Sequence, residues 1–123
     1  LIKDNLGRTL LAWRDDRFAG DGWHIPGGIV RFKETLLERV HKVATLELGC
    51  GVSVNEDPIA YKEVIRDHDT RGHFYSVLFE CTVPDDYLLD NKGLRPNDAG
   101  FLKWHADCPD NLVEVHEMYR GFI

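Results

Sequence analysis

The chain places a carboxylate where a helix should be apolar. Over residues 34–48 the apolar side chains Leu36, Leu37, Val40, Val43, Ala44 and Leu48 recur at spacings of three and four, which marks one face of an amphipathic helix. Gly49 stops it. Glu47 follows Val43 by four residues, Val40 by seven and Leu36 by eleven. At about 3.6 residues per turn that spacing sets it inside the apolar stripe. A carboxylate on a buried face is costly unless something pairs with it. Two arrangements satisfy it. One is a hard divalent cation shared with a backbone carbonyl of the glycine pair Gly27-Gly28 just upstream; the other is a fraying helix end that reaches solvent or a basic residue.

Around this helix the pattern alternates with strands. Residues 1–2 and 9–13 read as a hairpin closed at Asn5 and Gly7, with part of the first strand missing from a chain that starts at Leu1. A polar loop, 14–21, leads into Gly22-Trp23-His24-Ile25-Pro26-Gly27-Gly28-Ile29-Val30, where aromatic, proline and paired glycines force a short strand to turn sharply. Further strands are expected over 52–54, 59–66, 73–83 and 101–104, with a loop over 84–100. Leu112, Val115, Tyr119 and Phe122 predict a final helix that starts near Pro109-Asp110. No repeat or linker interrupts the 123 residues, so the expectation is one α+β domain over 1–123, a mixed sheet between two helices.

Charge narrows the function. With 15 Lys plus Arg against 21 Asp plus Glu, the net charge of −6 leaves no broad basic face for duplex nucleic acid. A local arginine pair or a metal can still reverse the field for a small anion. No apolar run is long enough to cross a bilayer. Cys50, Cys81 and Cys108 are odd in number and form no CxxC pair, which reads as reduced thiols in a cytoplasmic protein.

Gly28-Ile29-Val30-Arg31-Phe32-Lys33-Glu34, seven further residues, and then Lys42 through Gly49 resemble a Nudix box: G, five residues, E, seven residues, R-E-apolar-x-E-E-x-G. Gly28, Glu34, Ala44, Glu47 and Gly49 match, and Lys42 replaces the arginine. Val43 and Leu46 stand where ordinary Nudix enzymes carry glutamates. A box lacking those two, but ending Glu47-Leu48-Gly49, resembles the GDP-mannose mannosyl hydrolase branch. So does the upstream run of Leu10-Leu11, Arg14, Arg17, Ala19, Trp23 and Pro26-Gly27-Gly28, and the likeness covers roughly residues 1–83 well.

The resemblance implies a Nudix-like α/β/α sandwich and Mg²⁺, or Mn²⁺ in its place, bound by the Gly27 carbonyl and Glu47. Asp98, in Pro96-Asn97-Asp98, is the implied third ligand. Arg14 corresponds to the family's diphosphate-contacting arginine, with Arg17 secondary. The implied reaction is attack of water on the anomeric carbon of a nucleotide sugar, GDP-mannose or a relative, with GDP leaving. Without glutamates at Val43 and Leu46, metals and a base aimed at phosphorus are hard to assemble. The family's base is a histidine two residues after the acidic loop ligand, and here that place holds Gly100, or Ala99 with a one-residue slip. A substitute must come from elsewhere: His105 ranks first by proximity and His68 second, in a turn between Asp67 and Asp69, with His24 and His73 on other segments. Two further readings stand beside this one: a pyrophosphohydrolase attacking phosphorus, and a nucleotide-binding domain without turnover. Glu34 is expected to act structurally at the helix start, and Trp23, Trp104 and Phe18 either pack or stack on a base or sugar. The branch also implies a homodimer.

Overall fold

A computed structural model describes residues 1–16, 20–67 and 72–123, the side chain of Asp16 excepted. Among the described residues seven strands are formed: β1 (Thr9–Asp16), β2 (Gly20–His24), β3 (Ser53–Val54), β4 (Ala60–Ile65), β5 (His73–Leu78), β6 (Cys81–Thr82) and β7 (Leu102–His105). The expected mixed sheet is instead three antiparallel ladders, β2-β1-β7, β3-β6 and β4-β5. Isolated parallel bridges, Ile2 with Cys81 and Trp23 with Leu112, supply the parallel pairing.

The N-terminal hairpin forms as expected: Leu10 N donates to Ile2 O at 3.0 Å. The strand expected over 73–83 divides, because its two halves serve different neighbours. β5 pairs along its length with β4, from Ala60 opposite Leu78 to Ile65 opposite His73. β6 pairs with β3 on one side, and Cys81 N donates to Leu1 O at 2.8 Å on the other. Phe79 and Glu80, between the two, belong to neither strand.

β1 is the centre of the packing. Its alternate residues face opposite ways, as strand geometry requires. Leu11 and Trp13 join Trp23, Ile25, Leu112 and Tyr119 in one apolar cluster, while Leu10 and Ala12 join Leu48, Phe79, Cys81 and Leu102 in another. Leu10 and Leu11 are wholly buried; burying one such side chain stabilises by roughly 1.5–3 kcal/mol.

Helix α1 (Leu36–Val43) lies against the second cluster through Leu37 and Val40. Thr35 and Glu38 form a capping box, with Thr35 Oγ1 accepting from Glu38 N and Glu38 Oε2 accepting from Thr35 N. The helix then widens into a π turn over Ala44–Leu48 and ends at Gly49, whose φ of 74° suits glycine. The C-terminal helix differs more from expectation. It is a 3-10 helix, Glu114–Phe122, that begins after the segment 111–113. That segment is held extended on β2: Trp23 N donates to Asn111 O at 2.9 Å and Val113 N to Trp23 O at 2.8 Å. No helix among the described residues is long and apolar enough to cross a membrane.

Candidate functional site

The loop between β2 and α1 is held by one carboxylate. Glu34 accepts from Arg31 N at 2.9 Å, Arg39 Nε at 2.8 Å and Lys42 Nζ at 2.7 Å. The Lys42 ammonium first, then the Arg31 amide and Arg39, hold its carboxyl down at about 2. The expectation for Glu34 is a charge at the positive end of the helix; its contacts instead tie the glycine loop to α1, the buttressing role that the family resemblance implies. Gly28 meets α1 directly: a Cβ there would stand 2.9 Å from Val43 Cγ2 and 3.0 Å from Arg39 Cδ. The loop lies as close as it does because that position carries no side chain.

Beneath the loop is a cleft of about 930 Å³ whose walls include Arg14, His24, Gly27, Arg39, His73 and His116. Its size is that of a site for a sizeable small molecule, roughly 300–1,000 Å³. Strand β1 brings Arg14, β2 brings His24, and β5 brings His73 and Tyr75, both hydrogen-bonded to Glu63 Oε1, at 2.8 and 3.0 Å. The C-terminal helix closes another wall with His116 and Tyr119 and is tied to β5 by Tyr119 Oη donating to Ser76 Oγ at 2.7 Å. His116 Nδ1 accepts from Ile25 N at 3.0 Å. Burial, then the neighbouring His24 and Arg14, push His116 down to about 4, so its imidazole is neutral at physiological pH.

Glu47 lies in the last turn of the helix, partly exposed and beside a histidine, which is close to the second of the two expected arrangements. The π turn keeps Ala44 and Leu48 in the core and leaves Glu47 Oε2 3.7 Å from His24 Nε2. His24 Nδ1 is buried without a hydrogen-bond partner. Glu47 also lines a smaller cleft, about 220 Å³, together with Asp90, Asn91 and Gly100. Asp98 sits two residues before Gly100 but lines neither cleft. Its Oδ2 accepts from Arg95 N at 2.8 Å and lies 3.6 Å from Arg95 Nε. Among the described residues no group of three or more His, Cys, Asp or Glu is arranged to hold a metal.

The sequence-ranked histidine His105 also lies outside both clefts. It ends β7 opposite Thr9, its ring edge-on to Trp23 at 4.4 Å, and its Nε2 is buried without a partner. Burial and then Lys103 lower its pKa. His68, Arg17 and Phe18 lie outside the described residues. Trp23 is packed, 5.3 Å from Trp13 in the core, and Trp104 packs against the second cluster. Cys50, Cys81 and Cys108 are free thiols. Sequence reasoning missed His116 and Arg39. His116 carried a usable signal: it stands four residues after Leu112 and three before Tyr119, a titratable group at the spacing of an apolar stripe.

No protein-family model matches the chain. Over 92 residues, 72% of its length, it is 33% identical to the low-salt glycan biosynthesis protein Agl8 of Haloferax volcanii, and it spans 59% of that relative. The solution structure of the E. coli ORF135 protein is similar in fold, with a TM-score of 0.55 and 24% identity over 85% of this chain and 68% of that one. The chain therefore shares its fold with ORF135 and is similar over 92 residues to part of a protein named for glycan biosynthesis.

Proposed function

We propose that the chain is a Mg²⁺-dependent hydrolase of a nucleotide sugar, GDP-mannose or a relative, of the Nudix type. The observation that carries this reading is the large cleft, where Arg14, the glycine loop and three histidines surround a space of nucleotide-sugar size. The similarity to a protein named for glycan biosynthesis supports a sugar substrate.

The residues present fit a hard cation. Gly28 lets the loop backbone rest on α1 at Val43, one turn before Glu47, and the Gly27 carbonyl and the Glu47 carboxylate are the groups that would hold it. Mg²⁺ takes one or two carboxylates and completes its shell with water and substrate phosphate. Asp98, the third ligand the resemblance implies, is bonded to Arg95 and would have to leave it to join Gly27 and Glu47. When bound, the cation would supply positive charge to offset that of a diphosphate.

The chain's own side chains do the rest. The Arg14 guanidinium presents paired donors to diphosphate oxygens. His24, at the cleft wall beside Glu47, takes a proton from the attacking water as it adds to the anomeric carbon. The glycosidic carbon–oxygen bond breaks, and its electron pair leaves on the diphosphate as GDP. Apolar Val43 and Leu46, in place of box glutamates, favour this route over attack at phosphorus. Incubation with GDP-mannose and Mg²⁺ in water enriched with heavy oxygen tests the reading. GDP with labelled mannose supports it, whereas GMP with label in a phosphate shows attack at phosphorus. Nucleotide binding without turnover shows a domain that recognises and does not cut.

A further inference from the structure

We infer that His116 binds substrate: fixed in its Nε2–H tautomer, it donates that N–H, next to Arg14, to a phosphate oxygen in the cleft. The inference rests on the reading that the cleft takes a diphosphate.

The tautomer follows from one contact. A backbone N–H can only donate, so the Nδ1 that faces Ile25 N at 3.0 Å carries the lone pair. In a neutral imidazole the proton is then on Nε2, at the far side of the ring from Ile25. His116 and its helix neighbours Val115 and Tyr119 all line the large cleft. The ring is also held from outside. The Tyr119 hydroxyl on Ser76 anchors the helix to β5, and segment 111–113 anchors its start to β2. The N–H is therefore delivered by a rigid frame joining three elements, which is how a donor is preorganised for a ligand.

The surroundings select the acceptor. The charged and titratable groups acting on the ring are His24, Arg14 and the Leu1 ammonium, its nearer aromatic partner being His24 with ring centroids 6.0 Å apart. Donors of one polarity converge there, which suits an oxyanion. A neutral N–H adds a hydrogen bond beside Arg14 without adding a second positive charge. His116 is on this account a binding residue and not the base, because its only lone pair is already used by Ile25.

The test is ¹⁵N NMR of the histidine side chains in the intact chain, with inorganic pyrophosphate as the probe. The expected result is an unprotonated Nδ1 and a protonated Nε2 on His116, with the Nε2 and its proton shifting on pyrophosphate addition. His116→Phe should then bind pyrophosphate about tenfold more weakly, the loss of one charge-assisted hydrogen bond. A proton on Nδ1, or pyrophosphate binding that leaves the His116 Nε2 unmoved, overturns the inference and leaves the cleft reading standing. Failure of the native chain to bind pyrophosphate or GDP overturns both. The native-chain spectrum decides the matter even where the phenylalanine variant is poorly folded.

Discussion

His24 Nε2 and Glu47 Oε2 lie 3.7 Å apart, joining the end of β2 to the π turn that closes the helix after the glycine loop. The pair sets a base-capable imidazole, at the wall of the large cleft, beside a carboxylate that lines the smaller one. π turns inserted into α-helices are often found at functional sites, and this one frees Glu47 from the stripe while keeping Leu48 buried.

Glu47→Gln should lower turnover of GDP-mannose by roughly a hundredfold while leaving the thermal midpoint nearly unchanged, since several kcal/mol of charge stabilisation at the leaving group depend on its charge. Steady-state rates at saturating Mg²⁺, paired with a melting curve, check both parts.

His24→Asn should reduce kcat by roughly 10²- to 10⁴-fold with a smaller effect on KM, the range for loss of a general base. His105→Asn should leave kcat within a small factor of the native value and act on stability instead, because His105 packs on Trp23 away from both clefts. A reversed ranking of the two variants in the same assay would return the base to His105.

Gly28→Ala should destabilise by roughly 1–3 kcal/mol, because the added methyl overlaps Val43 and Arg39 and the helix has to yield. The shift of the urea midpoint at constant slope measures it.

Two groups give acid sensitivity in separate windows. His116 is lowered from 6.5 to about 4 on folding, so the unfolded chain takes up its proton first. Its contribution is complete above the unfolded value and is lost as pH falls from about 6.5 to about 4, on the order of 3 kcal/mol. Glu34, lowered from 4.5 to about 2, loses its contribution only as pH falls from about 4.5 toward 2. Unfolding midpoints against pH should flatten in the upper window for His116→Phe and in the lower one for Glu34→Gln.

Much of the fold was legible because its signals are local. The Asn5/Gly7 hairpin, the amphipathic stripe and the Gly49 stop each depend on residues near in sequence, and each is present. What was not legible depends on partners far away. No local signal divides the strand over 73–83, since the break arises from a change of neighbour from β4 to Leu1 and β3. The final helix starts late because β2 holds 111–113 extended. Within the site, Arg14 and the glycine loop were placed by motif spacing and both line the cleft. Proximity in sequence favours His105, but β7 carries it into register with Thr9, where it packs on Trp23. Like Glu47, His116 is a titratable group at the spacing of an apolar stripe, four residues after Leu112 and three before Tyr119.

The most direct measurement of the central claim is the fate of heavy oxygen. With GDP-mannose, Mg²⁺ and labelled water, the account predicts GDP and mannose, with the label in the mannose. Label in a phosphate with GMP released, or no turnover of any nucleotide sugar by a chain that binds GDP, would contradict it.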